Sequence, residues 1–138
     1  MIRTFIDAGV LIYAARSQGE IAEKALQILE DENREFASSI FLKLEVLPKA
    51  IYNHQKSEVK FYEAFFEEVS YWAKDINTII ATAYEQSSKF GVGAMDALHI
   101  GAALSVEATE FITNEKPERS IHRTPSIKMI SIHSLKTK

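Results

Sequence analysis

The feature that most narrows the fold is an alternation of short apolar runs with longer segments of helical period. Residues 2–6 (Ile-Arg-Thr-Phe-Ile) form a brief, mostly apolar run of the kind buried inside a parallel sheet. Residues 35–38, 110–113 and 126–133 read as further strands, the last carrying Ile127, Met129, Ile130 and Ile132. Between them the spacing turns helical. Residues 10–15 make a turn or two, and residues 20–31 put Ile21, Ala25, Ile28 and Leu29 on one face. Ser38 or Ser39 caps a helix running to about Tyr52, in which Pro48 predicts a kink or a break. Residues 58–72 are aromatic-rich and read as one helix through Trp72. Asp75 caps residues 76–90, with Ile76, Ile79, Ile80, Ala83 and Tyr84 expected inward and Gly91 to Gly93 ending the helix. Residues 94–106 are almost wholly apolar. Their small members Ala97, Gly101, Ala102 and Ala103 suit close packing. Residues 115–124 read as a polar loop, and residues 135–138 are expected to fray. Strands separated by helices imply an α/β domain with a central, mainly parallel sheet and helices on both faces.

Four carboxylates stand where apolar stretches meet polar ones: Asp7, Glu45, Asp96 and Glu115. An acid in such a place is costly unless it is paired, solvated or bound to a cation. Ligands of parallel α/β folds bind beyond the carboxyl ends of the strands, where Asp7 and Glu115 are predicted to lie. Together the four suggest a site for a hard cation, Mg²⁺ or Mn²⁺, which prefers oxygen donors. Each also has a plainer reading. Asp7 or Asp96 can serve as a helix cap, Glu45 as a solvated helix residue and Glu115 as a loop acid.

Length and composition bound the alternatives. A chain of 138 residues with 46% hydrophobic content is expected to form one domain, residues 1–138, with a proper core. The absence of cysteine excludes disulfides, thiolate metal sites and a cysteine nucleophile, and fits a reducing compartment. No signal-peptide pattern and no apolar stretch of spanning length is present, so the expectation is a cytoplasmic protein with no membrane partner. The net charge of -3 argues against coating nucleic acid by bulk charge. It leaves room for a local basic rim, for which Lys116, Arg119 and Arg123 are the best placed. The histidines show no zinc spacing, and no G-x-S-x-G elbow, P-loop or G-x-G-x-x-G is present. His99, three residues after Asp96, reads as a packed histidine with a local hydrogen bond. The aromatic residues between Phe61 and Trp72 read as core or a dimer face more readily than as base-stacking platforms.

Taken in order, residues 5–11 (Phe-Ile-Asp-Ala-Gly-Val-Leu), Glu45 on the third helical segment, residues 95–103 (Met-Asp-Ala-Leu-His-Ile-Gly-Ala-Ala) and residues 111–115 (Phe-Ile-Thr-Asn-Glu) resemble the PIN-domain family of ribonucleases, in particular its VapC-type toxins. The resemblance covers nearly the whole chain, and the Asp-Ala-Leu-His block is its most specific part. It implies a PIN-like three-layer α/β/α sandwich and a metal-dependent endoribonuclease acting on single-stranded RNA. It further implies a homodimer and a small antitoxin partner. Asp7, Glu45, Asp96 and Glu115 fall on the family's four acidic positions, as catalytic residues and metal ligands. Thr113, Asn114, Lys116 and Arg119 would support them or meet the substrate. Two positions depart from the pattern. Gly9 stands where the family usually has Ser, Thr or Asn, and Glu115 replaces the usual aspartate. These departures leave open a catalytically weakened PIN-like module that binds RNA or protein.

Overall fold

The structure, a computed structural model, describes residues 1–136. Five strands, β1 (Ile2–Ile6), β2 (Arg34–Ser39), β3 (Tyr71–Ala73), β4 (Glu110–Thr113) and β5 (Lys128–Ser131), form one sheet in the order β3-β2-β1-β4-β5. Every adjacent pair is parallel. Six helices join them: α1 (Ala8–Arg16), α2 (Glu20–Leu29), α3 (Ile40–Tyr52), α4 (Lys56–Glu68), α5 (Ile76–Phe90) and α6 (Ala94–Ser105). This is the expected α/β/α sandwich. The chain builds outward from β1 through β2 to β3, then returns to add β4 and β5 on the other side of β1. The reversal therefore lies between β1 and β4, where crevices form in folds of this type.

Side-chain alternation along the strands feeds two cores. Ile6 and Ile112 join Val10, Leu11, Leu42, Tyr62 and Ile132 beneath α1 to α4. Phe5 and Phe111 stack with ring centroids 5.1 Å apart and join Ile79, Ile100 and Ile121 beneath α5 and α6. The α5–α6 contact is made by backbone. A β-carbon on Gly101 would lie 2.6 Å from the Ile79 carbonyl oxygen, so no larger residue fits there without separating the helices.

That contact corrects one expectation. The inward face of α5 is Ile79, Ala83 and Gln86, whereas Ile76, Ile80 and Tyr84 are exposed, Tyr84 by 78%. Buried Gln86 accepts from Thr124 and donates to Ser126, tying the loop before β5 to this helix. The segment read as one helix through Trp72 ends at Glu68. Residues 71–73 instead pair with Ala37 to Ser39 as an edge strand. Helix α3, capped by Ser39, runs unbroken past Pro48, with Leu42, Val46 and Ala50 buried on both sides of it. The bond Pro48 cannot donate is outweighed by packing of the flanking turns. The last strand is shorter than expected and passes into a 3₁₀ turn at Ile132–Ser134. The polar loop contains another at Ser120–Arg123. Of the tail expected to fray, Leu135 packs against the core, and residues 137–138 lie outside the described residues. Among the described residues no helix is long and apolar enough to cross a membrane.

Candidate functional site

Asp7 is the first residue beyond β1 and the N-cap of α1, accepting from the Val10 amide at 3.2 Å. Strand register places Ile6 beside Ile112, so Asp7 stands beside Thr113 at the carboxyl end of β4. The fully buried Thr113 hydroxyl donates to Asp7 Oδ2, and the Asn114 amide approaches both carboxylate oxygens at 3.4 Å. Asp7 is only 9% exposed. Burial pushes its pKa from 3.8 to about 6, against the opposing pull of the bonds from Thr113, Val10 and Asn114. Cap and site residue are thus compatible readings of one side chain.

The turn after β4 is held from below by two histidines. His133 Nε2 donates to the Asn114 carbonyl at 2.9 Å, and His122 Nε2 donates to the Glu115 carbonyl at 3.0 Å. The Glu115 amide in turn donates to Thr113 Oγ at 3.0 Å. The Glu115 side chain is 46% exposed and lies 3.6 Å from Arg119.

Asp96 occupies the first turn of α6, and its helix enters from the same edge of the sheet. Its pKa is raised, first by burial and then by the Glu115 carboxylate, with Glu45 adding to the effect and His99 opposing it. Asp96 is therefore close enough to Glu115 and Glu45 to feel their charge. Glu45, in the second turn of α3, places Oε1 2.5 Å from His99 Nε2. His99 is buried against Phe5, with ring centroids 6.0 Å apart, so its hydrogen bond is not the local one expected but a contact between two helices. The i, i+3 spacing to Asp96 gave its side of the helix but not its partner, which comes from 54 positions earlier.

Asp7 thus stands at the β1/β4 switch point, and Asp96 feels the charge of Glu115 and Glu45. Among the described residues, no three acidic or histidine side chains are already drawn together tightly enough to hold an ion. The donor set nevertheless fits a hard divalent cation. It is all oxygen, and Asp96, raised first by burial, is raised further by Glu115 and Glu45. The rim is looser. Lys116 and Arg119 are exposed beside Glu115. Lys43 instead lies 5.6 Å over the rings of Phe66 and Trp72, and Lys89 pairs with Glu85 at 3.1 Å. Tyr62, Phe65 and Phe66 are core residues and offer no stacking platform.

Solved structures that share this fold include three VapBC complexes. A VapBC2 complex from Rickettsia felis, bound to a DNA fragment from its promoter, aligns with a TM-score of 0.71 at 14% identity, covering 94% of this chain and 98% of that one. A DNA-bound VapBC from Salmonella typhimurium gives 0.72 at 16% identity, covering 96% and 99%. VapBC-1 from nontypeable Haemophilus influenzae gives 0.69 at 16% identity, covering 96% and 100%. No curated protein sequence matches the chain. The model of the PIN domain matches residues 4–119, a span that takes in Asp7, Glu45, Asp96 and Glu115 alike, and the chain belongs to that family.

Proposed function

We propose that this chain is a Mg²⁺- or Mn²⁺-dependent endoribonuclease that hydrolyses phosphodiester bonds in single-stranded RNA. The observation that supports the reading is burial of two acids, Asp7 at the switch point and Asp96 on α6, which raises both pKa values, with Glu115 and Glu45 adding to the rise at Asp96. Folding leaves these carboxylates in an environment that penalises their charge, as functional sites do and as a bound cation relieves. When bound, the cation supplies a Lewis acid that neutralises phosphate charge and lowers the pKa of a bound water. Asp7 and Asp96 hold it, with Glu45 beside them and Glu115 assisting from the rim. The Thr113 hydroxyl fixes the Asp7 carboxylate by donating to Oδ2. Exposed Lys116 and Arg119 attract the RNA backbone; Arg119 gives up only a solvent-screened pair with Glu115 to do so.

The likeness to three VapBC structures supports a toxin–antitoxin role, with a small antitoxin protein as partner, for a cytoplasmic single-domain chain. Self-pairing is supported by an apolar face. Ile40, Leu44 and Ile51 of α3 and Ile76, Ile80 and Tyr84 of α5 are all exposed, and Ile40 and Ile76 line one surface cavity. The second reading, a catalytically weakened module that binds RNA or protein, is favoured by Gly9, which brings no polar group to the site.

The deciding experiment is cleavage of a mixed, structured RNA by the purified protein with Mn²⁺, with EDTA and as Asp96→Asn. The nuclease reading expects cleavage that needs both metal and Asp96. RNA bound but left intact under all conditions would favour the weakened module.

A further inference from the structure

Glu45 differs from the other candidate acids in how it is held. Asp7, Asp96 and Glu115 sit at or within one turn of an element's end near the sheet edge. Glu45 instead lies in the second turn of α3, on a longer side chain that is 34% exposed. Left alone, such a chain samples several rotamers. Here its Oε1 meets His99 Nε2 at 2.5 Å. The imidazole has no such freedom: it is 2% exposed and sits against Phe5 inside the second core. Among the described residues its Nδ1 is buried with no hydrogen-bond partner, and the ring's one hydrogen bond there is with Glu45. A carboxylate can only accept, which puts the donated proton on Nε2 and fixes the tautomer.

We propose that His99 is a positioning residue for Glu45, donating from Nε2 to Oε1 so that Oε2 is the oxygen turned toward the acid cluster. Asp96 lies three residues earlier on α6, so one rigid helix sets two of the four acids: one directly and one through this bond. Carboxylates and imidazoles at metal sites are commonly oriented by such a partner, and removing it weakens metal binding about ten- to a hundredfold. The inference rests on the proposed metal site. A merely structural pair, satisfying two polar groups at the edge of a core, would not make metal affinity depend on the donor.

The test is calorimetric Mn²⁺ affinity of the wild type, His99→Ala, His99→Gln, Glu45→Ala and the Glu45→Ala/His99→Ala double variant, each checked for folding by circular dichroism. Gln keeps a donor near the position of Nε2. The expected result is a loss of about tenfold or more in His99→Ala, near-wild-type affinity in His99→Gln, and no further loss when His99→Ala is added to Glu45→Ala. Wild-type affinity in His99→Ala overturns the proposal, as does equal loss in the Gln and Ala variants. Should His99→Ala not fold, His99→Gln is compared with Glu45→Ala. Affinity near wild type in the first and weak in the second supports positioning; equal weakness overturns it. A wild type that binds no Mn²⁺ removes the metal site and this role with it. Tight wild-type binding with unaffected His99 variants removes only the role.

Discussion

Gly9 and Asn114 touch through a missing side chain. A β-carbon built on Gly9 would lie 2.6 Å from Asn114 Cβ and 3.1 Å from its amide nitrogen. The glycine that departs from the family pattern therefore makes room for a polar residue delivered from the turn after β4 instead of from α1. Gly9→Ser alone is expected to destabilise by about 1–3 kcal/mol through overpacking. The double variant Gly9→Ser/Asn114→Gly should recover most of that loss in urea titrations. A Gly9→Ser protein as stable as the wild type would show that the two positions are not coupled.

The raised pKa of Asp7 gives a pH dependence with a definite sign. The folded value of about 6 lies above the unfolded 3.8. Its contribution is thus fully present below about pH 3.8 and is lost as pH rises through about 6. The full loss is about 3 kcal/mol at 1.36 kcal/mol per unit. Asn keeps the cap of α1 without the charge. Metal-free Asp7→Asn should therefore gain stability over the wild type as pH rises from 4 to 7.5, read by urea midpoints. Added Mn²⁺ should close that gap by stabilising the wild type alone. A gap independent of pH would mean that burial of the Asp7 charge is not what the protein resists.

Thr113 serves Asp7 as donor and Glu115 as acceptor at once. Thr113→Val keeps the shape and removes both bonds. It is expected to cost about 2 kcal/mol, in the range for hydrogen bonds to charged groups, and to lower RNA cleavage more than tenfold. Thr113→Ser should retain most of both properties, since it keeps the hydroxyl. Equal behaviour of the Val and Ser variants in cleavage would remove the hydroxyl from the site.

The apolar face of α3 and α5 predicts a change of assembly without a change of fold. Ile80 is 52% exposed, so Ile80→Lys should leave the thermal midpoint of the isolated subunit almost unchanged. Sedimentation velocity should show the wild type as a dimer and the variant shifted toward monomer. A wild type that sediments as a monomer at micromolar concentration would reassign this face.

The sequence showed most clearly what depends on local pattern. β1 and β4 are short apolar runs, α2 has a clean amphipathic period, and Asp75 and Gly91 mark the ends of α5 by cap chemistry alone. The acids were legible because each interrupts an apolar stretch. The failures share a cause in long-range contact. β3 has three residues and exists because Ala37 to Ser39 offer a pairing edge, which nothing within residues 71–73 reveals. The inward face of α5 is chosen by the backbone approach at Gly101, not by which residues are most apolar. Buried Glu110 likewise escaped notice until Thr4 and Arg34 appeared as its partners, at 2.6 and 2.8 Å. At the candidate site, the sequence marks the four acids as candidates, but local pattern gives no sign of the bond from His99 to Glu45.

The strand order also sets a timetable for synthesis. The hydroxyl that fixes Asp7 comes from a residue 106 positions later in the chain, and β1 gains its second neighbour only when β4 is made. A nascent chain that has emerged through α5 has β1, β2 and β3 but lacks Asp96, Thr113 and Glu115. A nascent chain that stops short of residue 115 therefore cannot bring the four candidate acids together. Whatever chemistry the site performs cannot begin before residue 115 has been added to the chain.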